Sequence, residues 1–205
     1  MKFAEKSLSD FLDEMGSKAP VPGGGGGAAA VGAVAASLAQ MVCSLTSGKE
    51  KYANVEDEIC QLAAKTQQTR LKMLELIDRD AKAFEPLSKA YSIPKDNPER
   101  ESIMEAALVS AASAPIELME VLCETIGATA RIAEIGTPLA ISDAGVAAIC
   151  CKSALQSAAL NVFINTKSMK DRLYAKSLED KANEMLDEYC TKADKIYTDV
   201  LLRIQ

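Results

Sequence analysis

The sequence predicts an all-α protein: a single domain of long antiparallel helices, residues 1–205, paired as a helical dimer. Three observations predict it. Apolar residues make up 48% of the chain and aromatics only 4%, a balance that suits close-packed, alanine-rich helices better than strands. Apolar positions recur at spacings of three and four, and no segment alternates as a half-buried strand does. Two stretches are apolar nearly all round, which asks for burial by neighbouring helices and by a second copy of the chain.

Each element has its own signal. Ser7 or Ser9 caps a short first helix carrying Leu8, Phe11, Leu12 and Met15 at helical spacing. Gly23 to Gly27 read as a loop, since glycine loses the most freedom on folding, and a second helix follows to about Leu45. After the connection "GKEKY", a third helix runs from about Val55 to Tyr91. Its seam is Ile59, Leu62, Thr66, Met73, Ile77, Phe84, Leu87 and Tyr91, with a kink expected at Pro86. "SIPKDNPER" is a loop, and a fourth helix spans about Glu99 to Ile135, again with a kink expected at Pro115. "GTPLAISDAG" is the next loop, with Ser142 as N-cap of a fifth helix ending near Asn165. A charged amphipathic helix, about Asp171 to Leu202, closes the chain.

Composition excludes several classes of function. A formal charge of -6 argues against a dedicated nucleic-acid binder. Histidine is absent and the six cysteines form no C-x-x-C pair, so no metal site is expected and the usual general base and Ser-His or Cys-His arrangements are missing. Catalysis must then use carboxylates, lysines, amides or backbone groups. Cysteine usage and the lack of a signal-peptide pattern at the start point to a reducing, cytoplasmic setting. Ala19 to Gly48 carries no charge, yet its Ala, Gly and Ser content fits a buried helix better than a membrane span. Ala28, Gly32 and Ala36 at four-residue spacing let another helix approach closely.

Asp80 is the sharpest signal for chemistry. The seam Met73, Ile77, Phe84, Leu87 passes through position 80, so a carboxylate is aimed at the core, either satisfied there or used there. Asp78 is out of phase and reads as solvated. The glycine run matches no nucleotide-binding fingerprint. It reads instead as bare amides at a helix N-terminus, open to an anionic or polar ligand, or as a tight turn that permits helix contact. Asn161 and Asn165 lie one turn apart, followed by Lys167 and Lys170; structural hydrogen bonding and dipole pairing would also explain them. Asp143 and Asn161 sit eighteen residues apart on one helix, about 27 Å by helical rise. A single copy cannot bring both to one small ligand, whereas an antiparallel partner can.

Three segments, "PVPGGGGGAAAVGAVAASLAQMVCSLTSGKEKY", "LIDRDAKAFEPLSKAYSIPKD" and "LAISDAGVAAICCKSALQSAALNVFINTKSMKD", together resemble the cyclodeaminase/cyclohydrolase family of folate enzymes in order and over nearly the whole chain. The resemblance implies an all-helical homodimer that binds a tetrahydrofolate substrate and needs no other cofactor. It maps the family's Pro-Gly-Gly-Gly signature onto Pro22, Gly23, Gly24 and Gly25, its catalytic acid onto Asp80, its Ser-Asp onto Ser142 and Asp143, and its asparagines onto Asn161 and Asn165. Gly26, where many cyclodeaminases carry Ser, and "GTPL", where they carry G-N-x-N, look like the cyclohydrolase branch. The implied reaction is hydrolysis of 5,10-methenyltetrahydrofolate to 10-formyltetrahydrofolate. The alternatives are deamination of formiminotetrahydrofolate and a folate-binding scaffold without turnover. The glycines would then admit the flat pterin or donate amides to it, and Lys167 would meet the glutamate tail.

Overall fold

The computed structural model describes residues 2–205, and every long element among them is helical. The helices are α1 (Leu8–Met15), α2 (Gly24–Thr46), α3 (Glu56–Tyr91), α4 (Arg100–Ile135), α5 (Ile141–Thr166) and α6 (Arg172–Ile204), with short 3-10 turns at Phe3–Glu5, Glu50–Val55 and Pro138–Ala140. Ser7 caps α1, its hydroxyl accepting from the Asp10 amide at 3.1 Å, and Asp171 caps α6 by accepting from the Tyr174 amide.

α2, α3, α4 and α5 form a four-helix bundle, and α6 packs against α5 and α4. Directions follow from cross-contacts. The Thr137 amide donates to Thr46 Oγ1 at 2.9 Å, and Gly24 lies beside Asn161, so α2 and α5 run antiparallel. Arg131 grips Glu58 through Nε at 2.6 Å and Nη2 at 2.9 Å, which ties the end of α4 to the start of α3. Such exposed pairs set register but add little stability, since solvent screens them. The stability lies in the interior, where Met73, Leu76, Leu118, Met119, Leu122, Ile126, Leu155 and Val162 are buried against the alanines of α2 and α5. Gly32 makes the approach possible, because a Cβ there would stand 2.7 Å from Met73 Sδ and 2.8 Å from a Leu122 methyl. Among the described residues three helical stretches are long and apolar enough to cross a membrane, Gly24–Thr46, Arg100–Ile135 and Pro138–Thr166, and each packs one side into this interior.

A second, smaller cluster of Leu87, Ala90, Leu108, Ala111, Met169 and Ala175 sits beyond the start of α2. There α3 and α4 continue without α2 beside them. Both run through their prolines as single helices, Pro86 within α3 and Pro115 within α4.

Four local expectations are corrected. Gly24 to Gly27 are the first turn of α2 rather than loop. Their helix is held by burial of α2 as a whole, which outweighs the roughly 1 kcal/mol per residue that glycine costs. Ser142 is the second residue of α5; the N-cap position is Ala140, without a side-chain cap, because the turn at Pro138–Ala140 leads straight into the helix. Asp78 is half-buried and accepts the Phe3 amide at 2.7 Å, fastening the N-terminus to α3. Tyr91 leaves the seam and is exposed, because at the end of α3 it is the neighbouring Ala90 that turns into the second cluster.

Candidate active site

Where α2 begins, the four-helix interior opens into a cleft of about 200 Å³. Its walls come from the segment before α2 (Pro20, Val21, Gly23), the first turn of α2 (Gly24, Gly25), α3 (Asp80, Phe84), α4 (Ala111, Pro115) and α5 (Asn161, Ile164, Asn165). The cleft exists because α2 begins at the level of Asp80 and Asn161, while α3, α4 and α5 continue past it. Residues more than fifty positions apart thus meet at one bundle end.

Asp80 is the one ionisable side chain among the described lining residues. Its carboxylate lies directly over Gly25, so closely that a Cβ on that residue would overlap both carboxylate oxygens. Burial raises the carboxyl from its ordinary 3.8 to about 6, with the Gly26 backbone amide pulling the other way. Gly24, Gly25 and Gly26 occupy the first three positions of α2, whose amides precede the first intrahelical bond, from the Gly27 amide to the Gly23 carbonyl at 2.9 Å. The carboxylate therefore faces the positive end of a helix while being largely withdrawn from water. A carboxyl poised near neutrality can take a proton from one group and return it to another.

The two asparagines line the opposite wall. Asn161 Nδ2 donates to the Ser157 carbonyl at 2.8 Å, and Asn165 Nδ2 donates to the Asn161 carbonyl at 2.8 Å and the Ala111 carbonyl at 3.4 Å. Asn165 thus places both of its N–H donors on backbone and Asn161 one of its two, which leaves both carboxamide oxygens available as acceptors. Gly24 lets Asn161 come close, since a Cβ there would stand 3.4 Å from Asn161 Nδ2.

The expected site residues divide into two groups. Gly23, Gly24, Gly25, Asp80, Asn161 and Asn165 come together in the cleft, with Gly26 presenting its amide to Asp80 from just behind. Pro22 is buried beneath them, its Cβ 3.4 Å from where a Gly26 Cβ would be. Ser142 and Asp143 are not in this chain's cleft. They sit at the far end of α5, where Ser142 is exposed and Asp143 half-buried. Lys167 is exposed at the C-cap of α5 outside the cleft lining, and Lys170 is ion-paired to Glu101. Phe84, Pro115, Ala111 and Ile164 line the cleft without having been singled out as site residues. Phe84 stood in the seam and Pro115 as an expected kink, so each carried a signal that packing alone explained. Among the described residues no group of three or more His, Cys, Asp or Glu is placed to hold a metal ion.

Comparison with known proteins places this geometry. The family described as formiminotransferase-cyclodeaminase matches residues 7–184. The chain is 37% identical over 203 residues to the methenyltetrahydrofolate cyclohydrolase of Methylorubrum extorquens, covering 97% of this chain and 98% of that protein. It is 31% identical to the formimidoyltransferase-cyclodeaminase of Mus musculus, covering 92% of this chain and only 36% of that longer protein. The crystal structure of formiminotetrahydrofolate cyclodeaminase from Thermotoga maritima superposes with a TM-score of 0.84 at 29% identity, covering 96% of this chain and 98% of that one. The glycine turn over Asp80 and the paired asparagines are thus carried on a shared full-length fold, and the chain belongs to the formiminotransferase-cyclodeaminase family.

Proposed function

We propose that this protein is a methenyltetrahydrofolate cyclohydrolase that converts 5,10-methenyltetrahydrofolate to 10-formyltetrahydrofolate in one-carbon metabolism. The observation that carries this reading is the buried Asp80 carboxylate held over the side-chain-free Gly25 in a cleft faced by two carboxamide oxygens. End-to-end similarity to a cyclohydrolase supports the choice of reaction.

Asp80 meets three demands of the reaction. The substrate's bridging carbon is an amidinium, and a carboxylate beside it stabilises that cation in the bound state. Attack by water forms a C–O bond at this carbon; Asp80 accepts the proton that water sheds. The tetrahedral adduct then breaks its bond to N5, and the protonated Asp80 returns its proton to that departing nitrogen as the adduct hydroxyl becomes the formyl carbonyl. One proton, that hydroxyl's, is left over and passes to solvent. A carboxyl near 6 suits both halves of this exchange. Asn161 and Asn165 accept N–H donors of the pterin, and the glycine turn leaves room for its flat face. No cofactor beyond the folate enters the scheme.

A second copy completes the site in this reading. α2 exposes Val31, Val34, Met41 and Leu45, and α5 exposes Val146, Ile149, Leu160 and Ile164, the last two 70% and 64% exposed. The two helices adjoin, so these side chains make one apolar face that borders the cleft through Gly24 and Ile164. An antiparallel homodimer across it brings the partner's Ser142 and Asp143 toward this chain's asparagines, which one chain cannot do by itself. The six free thiols, of which Cys43, Cys123 and Cys151 are buried, support a reducing cytoplasm as the place of work.

The deciding experiment offers the purified protein methenyltetrahydrofolate and formiminotetrahydrofolate separately and follows the near-ultraviolet band of the methenyl form against uncatalysed blanks. Accelerated loss of the band with the first substrate is the expected result. Appearance of the band with ammonia release from the second substrate would make the protein a cyclodeaminase, as named for its structural relative from Thermotoga maritima. Silence with both would leave a binding scaffold.

A further inference from the structure

The Asp80 cleft, at about 200 Å³, is smaller than the roughly 300 Å³ at which sites for whole small molecules begin. It has room for a pterin but not for the arylamide tail behind it, so the tail must leave through one side. Most sides are closed. The first turn of α2 and the α4 residues Ala111 and Pro115 are helix wall, and past them the second cluster of Leu87, Leu108 and Met169 fills the bundle. The α5 side, at Gly24 and Ile164, borders the apolar face that a second copy covers.

The α3 side leads out. Pro20, Val21 and Phe84 line the cleft and also a second groove of about 320 Å³, which follows α3 past Ala81 and Ser88. Two acids and two lysines border this groove. Lys89 and Glu85 hold each other at 2.6 Å, and the Asp78 carboxylate is occupied by the Phe3 amide at 2.7 Å. Lys82 is exposed and has no acid within ion-pair distance among the described residues, which makes it the groove's one cation free to meet an anion.

We propose that this groove takes the tail of the folate, with the p-aminobenzoyl ring against Phe84 and a glutamate carboxylate on Lys82. The inference rests on the folate reading and moves the tail contact from Lys167 on α5, which lies outside the cleft lining, to α3. Phe84 is half-buried, so part of its ring stays open for an aromatic partner, edge-on or offset. Lys82 is a point charge on a flexible stem and reaches a carboxylate without a fixed approach angle. Glu85 and Lys89 are exposed at the outer rim, so a tail with further glutamates runs on into solvent.

The test is isothermal titration with 5-formyltetrahydrofolate and with 5-formyltetrahydropteroic amide, which ends in an uncharged carboxamide in place of the glutamate. The wild-type protein is expected to bind the glutamate form about fivefold or more tightly than the amide, the worth of one charge-assisted contact. Lys82→Met should remove that preference while amide binding stays as it was, and Ser88→Trp, which fills the groove beyond the ring, should remove it as well. Equal binding of the two ligands by wild type, a preference kept by Lys82→Met or Ser88→Trp, or a preference lost in Lys167→Met instead would overturn the tail groove while leaving the folate reading in place. A preference that depends on Lys82 in a protein that does not turn over methenyltetrahydrofolate would uphold the groove and overturn the cyclohydrolase reading. Failure to bind either ligand would overturn both.

Discussion

Gly25 and Gly32 lie two turns apart on one helix, and neither has room for a methyl group. At Gly32 the obstacle is the apolar interior, Met73 and Leu122; at Gly25 it is the Asp80 carboxylate. The first close approach packs two helices and the second sets an acid against a helix N-terminus. Each of these two glycines therefore reports proximity, and what it is close to decides whether the proximity serves stability or chemistry.

The contrast is most directly broken at Asp80. Asp80→Asn should lower the rate of methenyl hydrolysis by about 10²–10⁴-fold, the usual worth of a general acid–base group, while the helical circular dichroism stays intact. Gly25→Ala should cost on the order of tenfold to a hundredfold in turnover, because the carboxylate must swing away, yet change the melting temperature little, since the cleft is open on that side. Gly32→Ala should do the reverse. Overpacking against Met73 and Leu122 is expected to cost about 1–3 kcal/mol in chemical denaturation, with turnover per folded molecule preserved. If both glycine variants lose only stability, the distinction between the two regions fails.

Asp80 also sharpens the comparison through pH. Its folded carboxyl titrates near 6 against 3.8 in the unfolded chain, so ionisation disfavours the fold. This group's contribution is fully present below pH 4 and is lost as pH rises through 6. Asp80→Asn should therefore be more stable than wild type at pH 8, by up to about 3 kcal/mol, with the difference vanishing by pH 4. A variant that gains stability while losing activity would mark a residue kept for its chemistry. The smallest effect is expected at Asn161→Ala, a few-fold rise in KM with kcat nearly unchanged, checked by steady-state kinetics.

The helices were legible because burial leaves a periodic trace. The seam through Met73, Ile77, Phe84 and Leu87 placed Asp80 inward without any knowledge of a cleft. The glycine turn was harder to read: local propensity argues for loop, and only tertiary burial of α2 makes Gly24–Gly27 helical. Ser142 misled for a related reason, since a turn entering directly from Pro138 moves the helix start ahead of the better capping residue. That Ser142 and Asp143 lie far from Asn161 was legible from their separation along one helix, whereas which end of α5 meets Asp80 is set by helix directions, which no local pattern encodes. Phe84 and Pro115 show the remaining limit, for a residue that packs a core and lines a cleft leaves one and the same trace.

The central claim is that Asp80 moves the proton in methenyl hydrolysis, and the pH dependence of kcat/KM for wild-type protein and Asp80→Asn tests it most directly. The account predicts that the wild-type rate rises with pH through an inflection near 6 and that this inflection disappears in a folded, nearly inactive variant. A folded Asp80→Asn protein that turns over methenyltetrahydrofolate at the wild-type rate with the same pH profile would contradict it.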